Sequence, residues 1–185
     1  FTLEPGQNVL IRGVSGSGKS TLLRAISGIW PFVEGRISLP DTKDLMFIPQ
    51  RPYLPLGTLR NALLYPGTKM ISDEHLLKLM EQCEIGYLSD KLDVVGDWSH
   101  VLSIGEQQRL AFVRAHVQQP LWLFLDEATS ALDETTEAKM YMQLGSSLPN
   151  TTVVSIGHRS TLNKYHQKAL NINRDEKSVN LVELN

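Results

Sequence analysis

The fold is decided by Gly13-Val14-Ser15-Gly16-Ser17-Gly18-Lys19-Ser20, a stretch that matches the pattern G-x-x-x-x-G-K-[ST] of a phosphate-binding loop. An apolar run at residues 9–11 precedes it, and a helical pattern through Leu22, Leu23 and Ile26 follows it. Phosphate-binding loops connect a strand to a helix in this order. The flanks therefore favour such a loop over a glycine-rich turn before an ordinary helix.

Three glycines in this loop let the backbone wrap closely around a phosphate with its N–H groups pointing inward. The helix that we expect to begin near Lys19 adds the positive end of its dipole. In such loops the lysine reaches the β- and γ-phosphates and the Ser20 hydroxyl holds Mg²⁺. The sequence therefore predicts a nucleotide site formed by Gly13, Val14, Ser15, Gly16, Ser17, Gly18, Lys19, Ser20 and Thr21.

The composition limits the class of protein. A chain of 185 residues, 42% of them hydrophobic, is long enough for one domain with a substantial core. Its net charge of −2 argues against a dedicated nucleic-acid binder, so we expect no nucleic acid as a partner. The single cysteine, Cys83, excludes an intramolecular disulfide and fits a reducing cytoplasm. No apolar run has the length of a membrane span, and the start at Phe1 without methionine suggests a domain cut from a longer chain.

Short apolar runs, often β-branched and bounded by Gly, Pro, Asn or Asp, predict strands. They lie at 8–12, 36–39, 45–48, 121–125, 152–156, 169–172 and 179–182. Helical patterns lie at 19–28, 72–83, 104–118 and 135–144. Strands that alternate with helices predict an α/β fold with a mostly parallel sheet covered on both faces.

Residues 52–118 differ from the rest because they hold helices and turns without a convincing strand. We interpret them as a helical subdomain inserted into the sheet domain. The predicted organisation is a P-loop core formed by residues 1–51 and 119–185, with the helical subdomain 52–118 between its two parts.

A second nucleotide motif is Leu121-Trp122-Leu123-Phe124-Leu125-Asp126-Glu127, a buried-strand pattern that ends in two carboxylates. Ligands of open α/β sheets bind at the carboxyl ends of strands, where Asp126 would help to hold Mg²⁺. Because the chain turns at the strand end, both carboxylates can face the nucleotide, and we predict that Glu127 deprotonates water as a general base. The alternative is two solvated acids in a turn, which the upstream P-loop disfavours.

Further motifs surround these two. Gln50 follows Phe47-Ile48-Pro49, and Leu102-Ser103-Ile104-Gly105-Glu106-Gln107-Gln108-Arg109 lies before the second motif. Ser130-Ala131-Leu132-Asp133 follows it, and His158 comes after a later strand-like run. This order of P-loop, Q-loop, signature, Walker B, D-loop and H-loop resembles the nucleotide-binding domain of ATP-binding cassette (ABC) proteins. The resemblance covers nearly the whole chain, and six ordered motifs are far more specific than one.

Finer detail is similar to one branch of that family. The segments concerned are Arg51-Pro52-Tyr53-Leu54-Pro55-Leu56-Gly57-Thr58-Leu59-Arg60, Gly96-Asp97-Trp98 and the signature itself. They resemble bacterial transporters related to the peroxisomal fatty-acyl proteins of subfamily D, in which one chain carries both membrane and ATPase domains. The resemblance implies a P-loop NTPase (RecA-like) sheet with an inserted ABC-type helical subdomain.

The signature departs from the common Leu-Ser-Gly-Gly-Gln at Ile104 and Glu106. Ser103 and Gly105, the positions best able to touch phosphate, are retained. Ser103 and Glu106 also form the pattern of a capping box, in which the glutamate reaches back to the N–H of the serine. We expect Ser103, Gly105 and Glu106 to contribute to nucleotide binding, with the carboxylate pointing away while the helix N-terminus faces the phosphate.

The resemblance implies an ATPase of a membrane transporter at the cytoplasmic face of a bacterial inner membrane. Two copies of the domain would pair head to tail, with each ATP between one P-loop and the Ser103–Gly105 turn of the other copy. Region 50–64 would contact the membrane-spanning domain. The catalytic residues implied are Lys19, Gln50, Glu127 and His158, and Mg²⁺ would be held by Ser20, Gln50 and Asp126.

Two alternatives stay open at this point: a soluble ABC ATPase that acts on nucleic acid or ribosomes, and a nucleotide-gated binding module with little turnover. The family usually stacks adenine on an aromatic residue well upstream of the P-loop, which this sequence begins too late to contain. No specific role is expected for several other residues. Surface or packing roles are expected for His75, His100, His116, His166 and Cys83. Arg109 and Arg114 are expected to be charges on a helix face or ion-pair partners.

Overall fold

The computed structural model describes residues 1–32, 34–67, 69–174, 176 and 178–184. Contacts within this part of the chain divide it into two compact units. The first unit is formed by Phe1–Pro49, Pro120–Glu127 and the chain from Asn150 onward, and the second by Gln50–Gln119 and Ala128–Pro149.

The first unit is built on a six-stranded sheet. Its strands are β1 (Val9–Arg12), β2 (Leu45–Ile48), β5 (Trp122–Asp126), β6 (Thr152–Ile156), β7 (Lys168–Asn173) and β8 (Ser178–Glu183), in the order β2-β5-β6-β1-β7-β8. All neighbours are parallel except β7 and β8, which are antiparallel. This confirms the predicted α/β fold with a mostly parallel sheet.

The core of the first unit lies between this sheet and helix α1 (Lys19–Ile26). Leu23 and Ile26 of α1 are buried in one cluster with apolar residues of the central strands. These strand residues are Val9, Ile11, Phe124, Val154, Ile156 and Leu170. Val9 and Ile11, like Val154 and Ile156, alternate along strands whose consecutive residues are buried, as expected for a central parallel sheet.

The sheet register brings three strand ends together. Asp126 at the end of β5 pairs with Ile156 of β6, and Ile156 pairs with Ile11 of β1. Because β6 lies between β5 and β1, the loops that leave these three strands emerge side by side. This edge is where ligands of open α/β sheets bind.

The second unit is mainly helical. Its helices are α2 (Leu59–Leu64), α3 (Asp73–Gln82), α4 (Trp98–Val101), α5 (Ile104–Gln118) and α6 (Glu134–Ser147), and two short strands, β3 (Gly57–Thr58) and β4 (Val95–Gly96), pair antiparallel. The helix α5 is buried along most of its length and packs against α2, α3 and α6. Among the described residues, none of the helices in either unit combines the length and apolar character needed to cross a bilayer.

Several features differ from the sequence predictions. The predicted strand at 36–39 does not form; its four residues are exposed, and Ile37 and Leu39 are each 43% exposed, so β propensity alone did not order a strand there. The helices α2 and α4 and the β3–β4 pair were not predicted, because segments this short carry no readable periodicity.

The helix α6 belongs with the second unit, although the sequence prediction placed residues 128–149 in the P-loop core. Its buried face includes Met140, Tyr141 and Leu144. The ring of Tyr141 lies edge-on to that of Phe112 on α5, with centroids 6.5 Å apart. This packing against α5 accounts for the assignment of α6 to the helical unit.

Two histidines, His116 and His166, are buried in packing positions. The His166 Nδ1–H donates to the carbonyl of Leu162 (2.8 Å), so its Nε2 accepts from the Ser155 hydroxyl (2.9 Å). Burial lowers the pKa of each histidine to about 4. Both side chains are therefore held in the neutral form at neutral pH.

We predict that acid weakens the fold through these histidines. Between the ordinary histidine pKa and 4, the unfolded chain binds protons that the folded chain does not, so the free energy of unfolding falls as the pH falls. The expected loss on moving from pH 7 to pH 5 is about 2 kcal/mol per histidine, measured by urea unfolding. His166→Gln should remove about half of this pH-dependent loss, and an unchanged pH dependence in that variant would contradict the assignment.

Candidate functional site

The P-loop adopts a tight turn between β1 and α1. Helix α1 begins at Lys19, as predicted, and Gly18 caps it with a left-handed φ of 98°. The Lys19 side chain is buried, and its Nζ donates to the carbonyls of Gly13 and Val14 (2.9 and 3.0 Å). The ammonium is therefore held across the mouth of the loop, close to where phosphate charge would lie.

Close approach of neighbouring atoms requires a glycine at position 13. A Cβ at this position would lie 2.5 Å from the Ser17 Oγ and 2.7 Å from the carbonyl oxygen of Ile172. Contacts this short force the loop to open. Because the Ile172 oxygen is part of β7, the glycine fixes the distance between the loop and the sheet.

Two side-chain oxygens that could bind a metal ion, one of Ser20 and one of Asp126, lie next to each other. The Ser20 hydroxyl donates to Asp126 Oδ1 over 2.8 Å. Burial raises the pKa of Asp126 above its ordinary value, against the lowering effect of the hydrogen bond from Ser20. A hydroxyl and a carboxylate side by side are hard oxygen ligands of the type that Mg²⁺ prefers, so this pair fits the predicted metal.

Glu127 follows β5 in a left-handed conformation with φ 52°, which costs about 1 kcal/mol for a residue with a side chain. Its N–H still donates to the carbonyl of Ile156 (3.1 Å), which extends the pairing with β6. Its Oε1 lies 3.1 Å from Nε2 of His158. Backbone strain persists only where the surrounding structure maintains it, and it is often found at functional sites. The strained conformation of Glu127 therefore favours a functional role for this residue.

The first unit therefore brings together Lys19, Ser20, Asp126, Glu127 and His158. They follow or end three strands, β1, β5 and β6, that are neighbours in the sheet. The set comprises a cation, two hard oxygen donors, and a carboxylate paired with an imidazole. Such a set can bind a phosphate chain with a divalent cation and activate a water molecule.

The signature segment of the second unit contains the predicted capping box. Ser103 Oγ accepts from the N–H of Glu106 (3.3 Å), and Glu106 Oε2 accepts from the N–H of Ser103 (2.7 Å). The hydroxyl of Tyr87 donates to the other carboxylate oxygen of Glu106. The charge of Glu106 is thus directed at Ser103 and Tyr87, in agreement with the expectation that it serves the cap.

Hydrogen bonding also keeps Glu106 ionised. Burial alone would raise the pKa of Glu106, but the hydrogen bonds from Ser103 and Tyr87 outweigh it and leave this pKa below its ordinary value. A Cβ at Gly105 would lie 3.3 Å from the carbonyl oxygen of Ala131, so a larger residue would crowd the segment after β5. The retained glycine at 105 therefore has a packing reason within the second unit.

Gln50 also lies in the second unit, where its Nε2 donates to the Ser130 hydroxyl over 3.3 Å. Sequence reasoning missed a residue that supports it: Gln108 of α5 is fully buried and donates to the carbonyl of Gln50 (2.9 Å). Both Gln107 and Gln108 are buried, and two adjacent glutamines in a helix carry no sequence signal of burial.

Arg114 was expected to be a charge on a helix face or an ion-pair partner, and this was wrong. It is buried, and its guanidinium donates to the carbonyls of Tyr53 (2.8 Å) and Ala62 (2.7 Å). It also lies over the ring of Tyr65, 5.4 Å from the centroid. Burial lowers its pKa to about 10, so it remains charged at neutral pH and fixes the backbone of region 50–64.

The P-loop, the paired hard oxygens and the sheet order define a P-loop nucleoside-triphosphate-binding domain. The sequence profile of the ABC transporter family matches residues 1–130. The chain belongs to this family.

Individual relatives agree with this assignment. An ABC transporter ATP-binding protein of Haemophilus influenzae is 46% identical over 171 residues, which cover 92% of this chain and 29% of that protein. ABC transporter D family member 2, chloroplastic, of Arabidopsis thaliana is 38% identical over 222 residues, 94% of this chain and 31% of that protein. A bacterial Atm1-family ABC exporter solved with ATP bound matches with a TM-score of 0.83 and 29% identity, over 94% of this chain and 33% of that one.

These matches confirm the resemblance to ABC nucleotide-binding domains, including those of subfamily D, and they give no support to the soluble alternatives. The chain spans less than a third of the length of the two curated relatives. It corresponds to the ATP-binding domain of such proteins.

Proposed function

We propose that this domain binds ATP with Mg²⁺, hydrolyses it, and thereby drives the movement of a substrate across a membrane. The observation that carries the proposal is the convergence of Lys19, Ser20, Asp126, Glu127 and His158 at one edge of the sheet. Hydrolysis of a phosphoanhydride needs mainly positioning and charge stabilisation, which these groups supply.

Binding is assigned to the P-loop. The Lys19 ammonium exchanges its contacts with the carbonyls of Gly13 and Val14 for phosphate oxygens, while loop N–H groups and the start of α1 face the same phosphates. Ser20, Asp126 and Gln50 are the residues that would hold Mg²⁺. When bound, the ion neutralises charge on the phosphate oxygens.

The chemical step is assigned to Glu127 and His158. Glu127 accepts the proton of the attacking water as a general base, which contributes about 10²–10⁴-fold to rate in enzymes. His158, 3.1 Å from the Glu127 carboxylate, orients that carboxylate and contacts the γ-phosphate. Gln50 would orient the attacking water and help to hold Mg²⁺.

The active state is proposed to be a head-to-tail pair of two copies. Each P-loop would then face the Ser103 cap and Gly105 of the other copy across the triphosphate. The N-terminus of α5 offers the positive end of a helix of 15 residues. Loss of the γ-phosphate removes contacts shared by both copies, so the pair opens after hydrolysis.

Region 50–64 is the proposed contact for a membrane-spanning domain at the cytoplasmic face of a bacterial inner membrane. Tyr53 and Leu56 in this region are 63% and 75% exposed. Exposed apolar residues on a backbone fixed by Arg114 suit docking of a helical segment.

The proposal is tested by phosphate release from ATP in the full natural chain, with and without Mg²⁺. We expect steady-state release of phosphate from ATP when Mg²⁺ is present and no release when it is absent. Tight ATP binding without release would support a binding module instead, and no binding would overturn the proposal.

A further prediction concerns the tyrosine beside the signature. In Tyr87→Phe the Glu106 carboxylate loses a hydrogen bond and is freer to face the phosphate of the other copy. A bond of this kind is worth about 1 kcal/mol at an exposed site, so the ATP concentration for half-maximal turnover should rise about fivefold. In a Glu106→Gln background the same change should have little effect, and an equal rise there would contradict the role of Tyr87.

A further inference from the structure

Gln108 lies where three segments of the second unit meet. It belongs to α5, has no exposed surface, and directs its side-chain amide at the backbone of Gln50 and at the segment after β5. Nε2 donates to the carbonyl of Gln50 (2.9 Å) and to the hydroxyl of Ser130 (3.3 Å). Oε1 accepts from the N–H of Ala131 (3.0 Å).

The chemistry of these partners requires an amide. The Ala131 N–H can only donate and the Gln50 carbonyl can only accept, so one side chain must supply an acceptor and a donor at once. A carboxylate would satisfy Ala131 alone, and an apolar side chain would satisfy neither. The Gln108 amide is buried and both of these bonds are part-buried, so losing them is costly and the arrangement holds both segments in one register.

The side chain of Gln50 is fixed through the same group of contacts. Its Nε2 shares the Ser130 hydroxyl with Nε2 of Gln108, at 3.3 Å in each case. Gln108 thus sets the backbone of Gln50, and Ser130 contacts the side chains of both glutamines.

We propose that Gln108 is a positioning residue for ATP hydrolysis, which acts by placing the side chain of Gln50. The inference rests on the proposed function, because Gln50 acts there on Mg²⁺ and water. In this proposal α5 has a second role besides carrying Ser103. Through Gln108 it holds Gln50 of the Q-loop and Ala131 of the D-loop at a fixed spacing.

The main variant is Gln108→Met, which nearly preserves side-chain shape but neither donates nor accepts as the amide does. In the full natural chain we expect kcat to fall about tenfold with little change in the KM for ATP, because placement of a catalytic group is lost rather than nucleotide binding. Gln107→Met is the matched control. Gln107 is also buried on α5, and it donates to the carbonyls of Ser99 (2.9 Å) and Leu102 (2.8 Å) rather than to Gln50.

A double-mutant cycle with Gln50→Ala separates positioning from general destabilisation. Gln50→Ala keeps the backbone carbonyl but removes the side chain on which Gln108 is proposed to act. In that background Gln108→Met should lower kcat no further, whereas Gln107→Met should have the same effect as in the wild type. A merely structural role of Gln108 would give additive losses in both cycles.

If Gln108→Met does not fold, Ser130→Ala replaces it in the same cycle, because Ser130 is exposed and its loss is tolerated more easily. We expect a several-fold lower kcat that again disappears in the Gln50→Ala background. Additive losses, or no effect of Gln50→Ala on kcat, would overturn the inference while ATP hydrolysis by the wild type still stands. Absence of hydrolysis by the wild type would instead overturn the proposed function.

Discussion

Glu127→Gln should lower the turnover of ATP by at least about 100-fold, the contribution expected of a general base. The amide has the same shape as the carboxylate but cannot take up the proton of the attacking water. ATP binding should persist, because the substitution removes a negative charge near the phosphates. An ATP-bound pair of copies should therefore accumulate, which size-exclusion chromatography with ATP can measure beside phosphate release.

The matched control for this prediction is Glu74→Gln, which makes the same change at an exposed position in the first turn of α3. Its turnover should equal that of the wild type. Glutamine differs from glutamate only at the end of the side chain and should keep the left-handed turn of Glu127, so the comparison tests the proton acceptor rather than the turn. Turnover close to wild type in Glu127→Gln would remove this residue from the role of base.

Lys19→Ala should weaken ATP binding by about 10- to 100-fold. The ammonium is buried at the mouth of the loop, and charge-assisted hydrogen bonds to phosphate are worth about 1.5–3 kcal/mol each. Isothermal calorimetry with ATP and Mg²⁺ measures the change directly.

Folding must be separated from binding in this variant, because Lys19 also satisfies the carbonyls of Gly13 and Val14. Lys19→Met keeps most of the side-chain volume and should weaken binding to a similar degree. Lys43→Ala, at an exposed lysine paired with Asp41 (3.3 Å), is the charge-matched control and should bind ATP normally. Unchanged ATP affinity in both Lys19 variants at unchanged melting temperature would contradict the assignment.

The sequence was sufficient for those parts of the site that follow strands. The apolar run before Asp126 predicts a strand, and the glycines before Lys19 predict a tight turn. Each motif also indicates what binds there, because the residues that determine the backbone also supply the groups that contact the ligand. The sheet then brings these residues together, because β5, β6 and β1 are neighbours in its strand order.

The sequence was insufficient where a polar side chain faces inward from a helix. Gln108 and Arg114 look like surface residues of α5, and only their distant partners show otherwise: the carbonyls of Gln50 and Tyr53 lie 58 and 61 positions away in the chain. The segment 36–39 failed for the opposite reason, since its apolar residues satisfy a strand pattern but no neighbouring strand pairs with them among the described residues.

The central claim is that two copies hold ATP between the P-loop of one and the Ser103 cap of the other. The most direct measurement mixes full chains that carry Ser15→Cys with full chains that carry Ser103→Cys, both in the Glu127→Gln background. The native Cys83 is fully buried, and burial raises its pKa to about 12, so it should not form a disulfide.

We predict a disulfide-linked pair that contains one chain of each kind and forms quickly only when ATP is added. No mixed pair with ATP, or equal formation with and without it, would contradict the account.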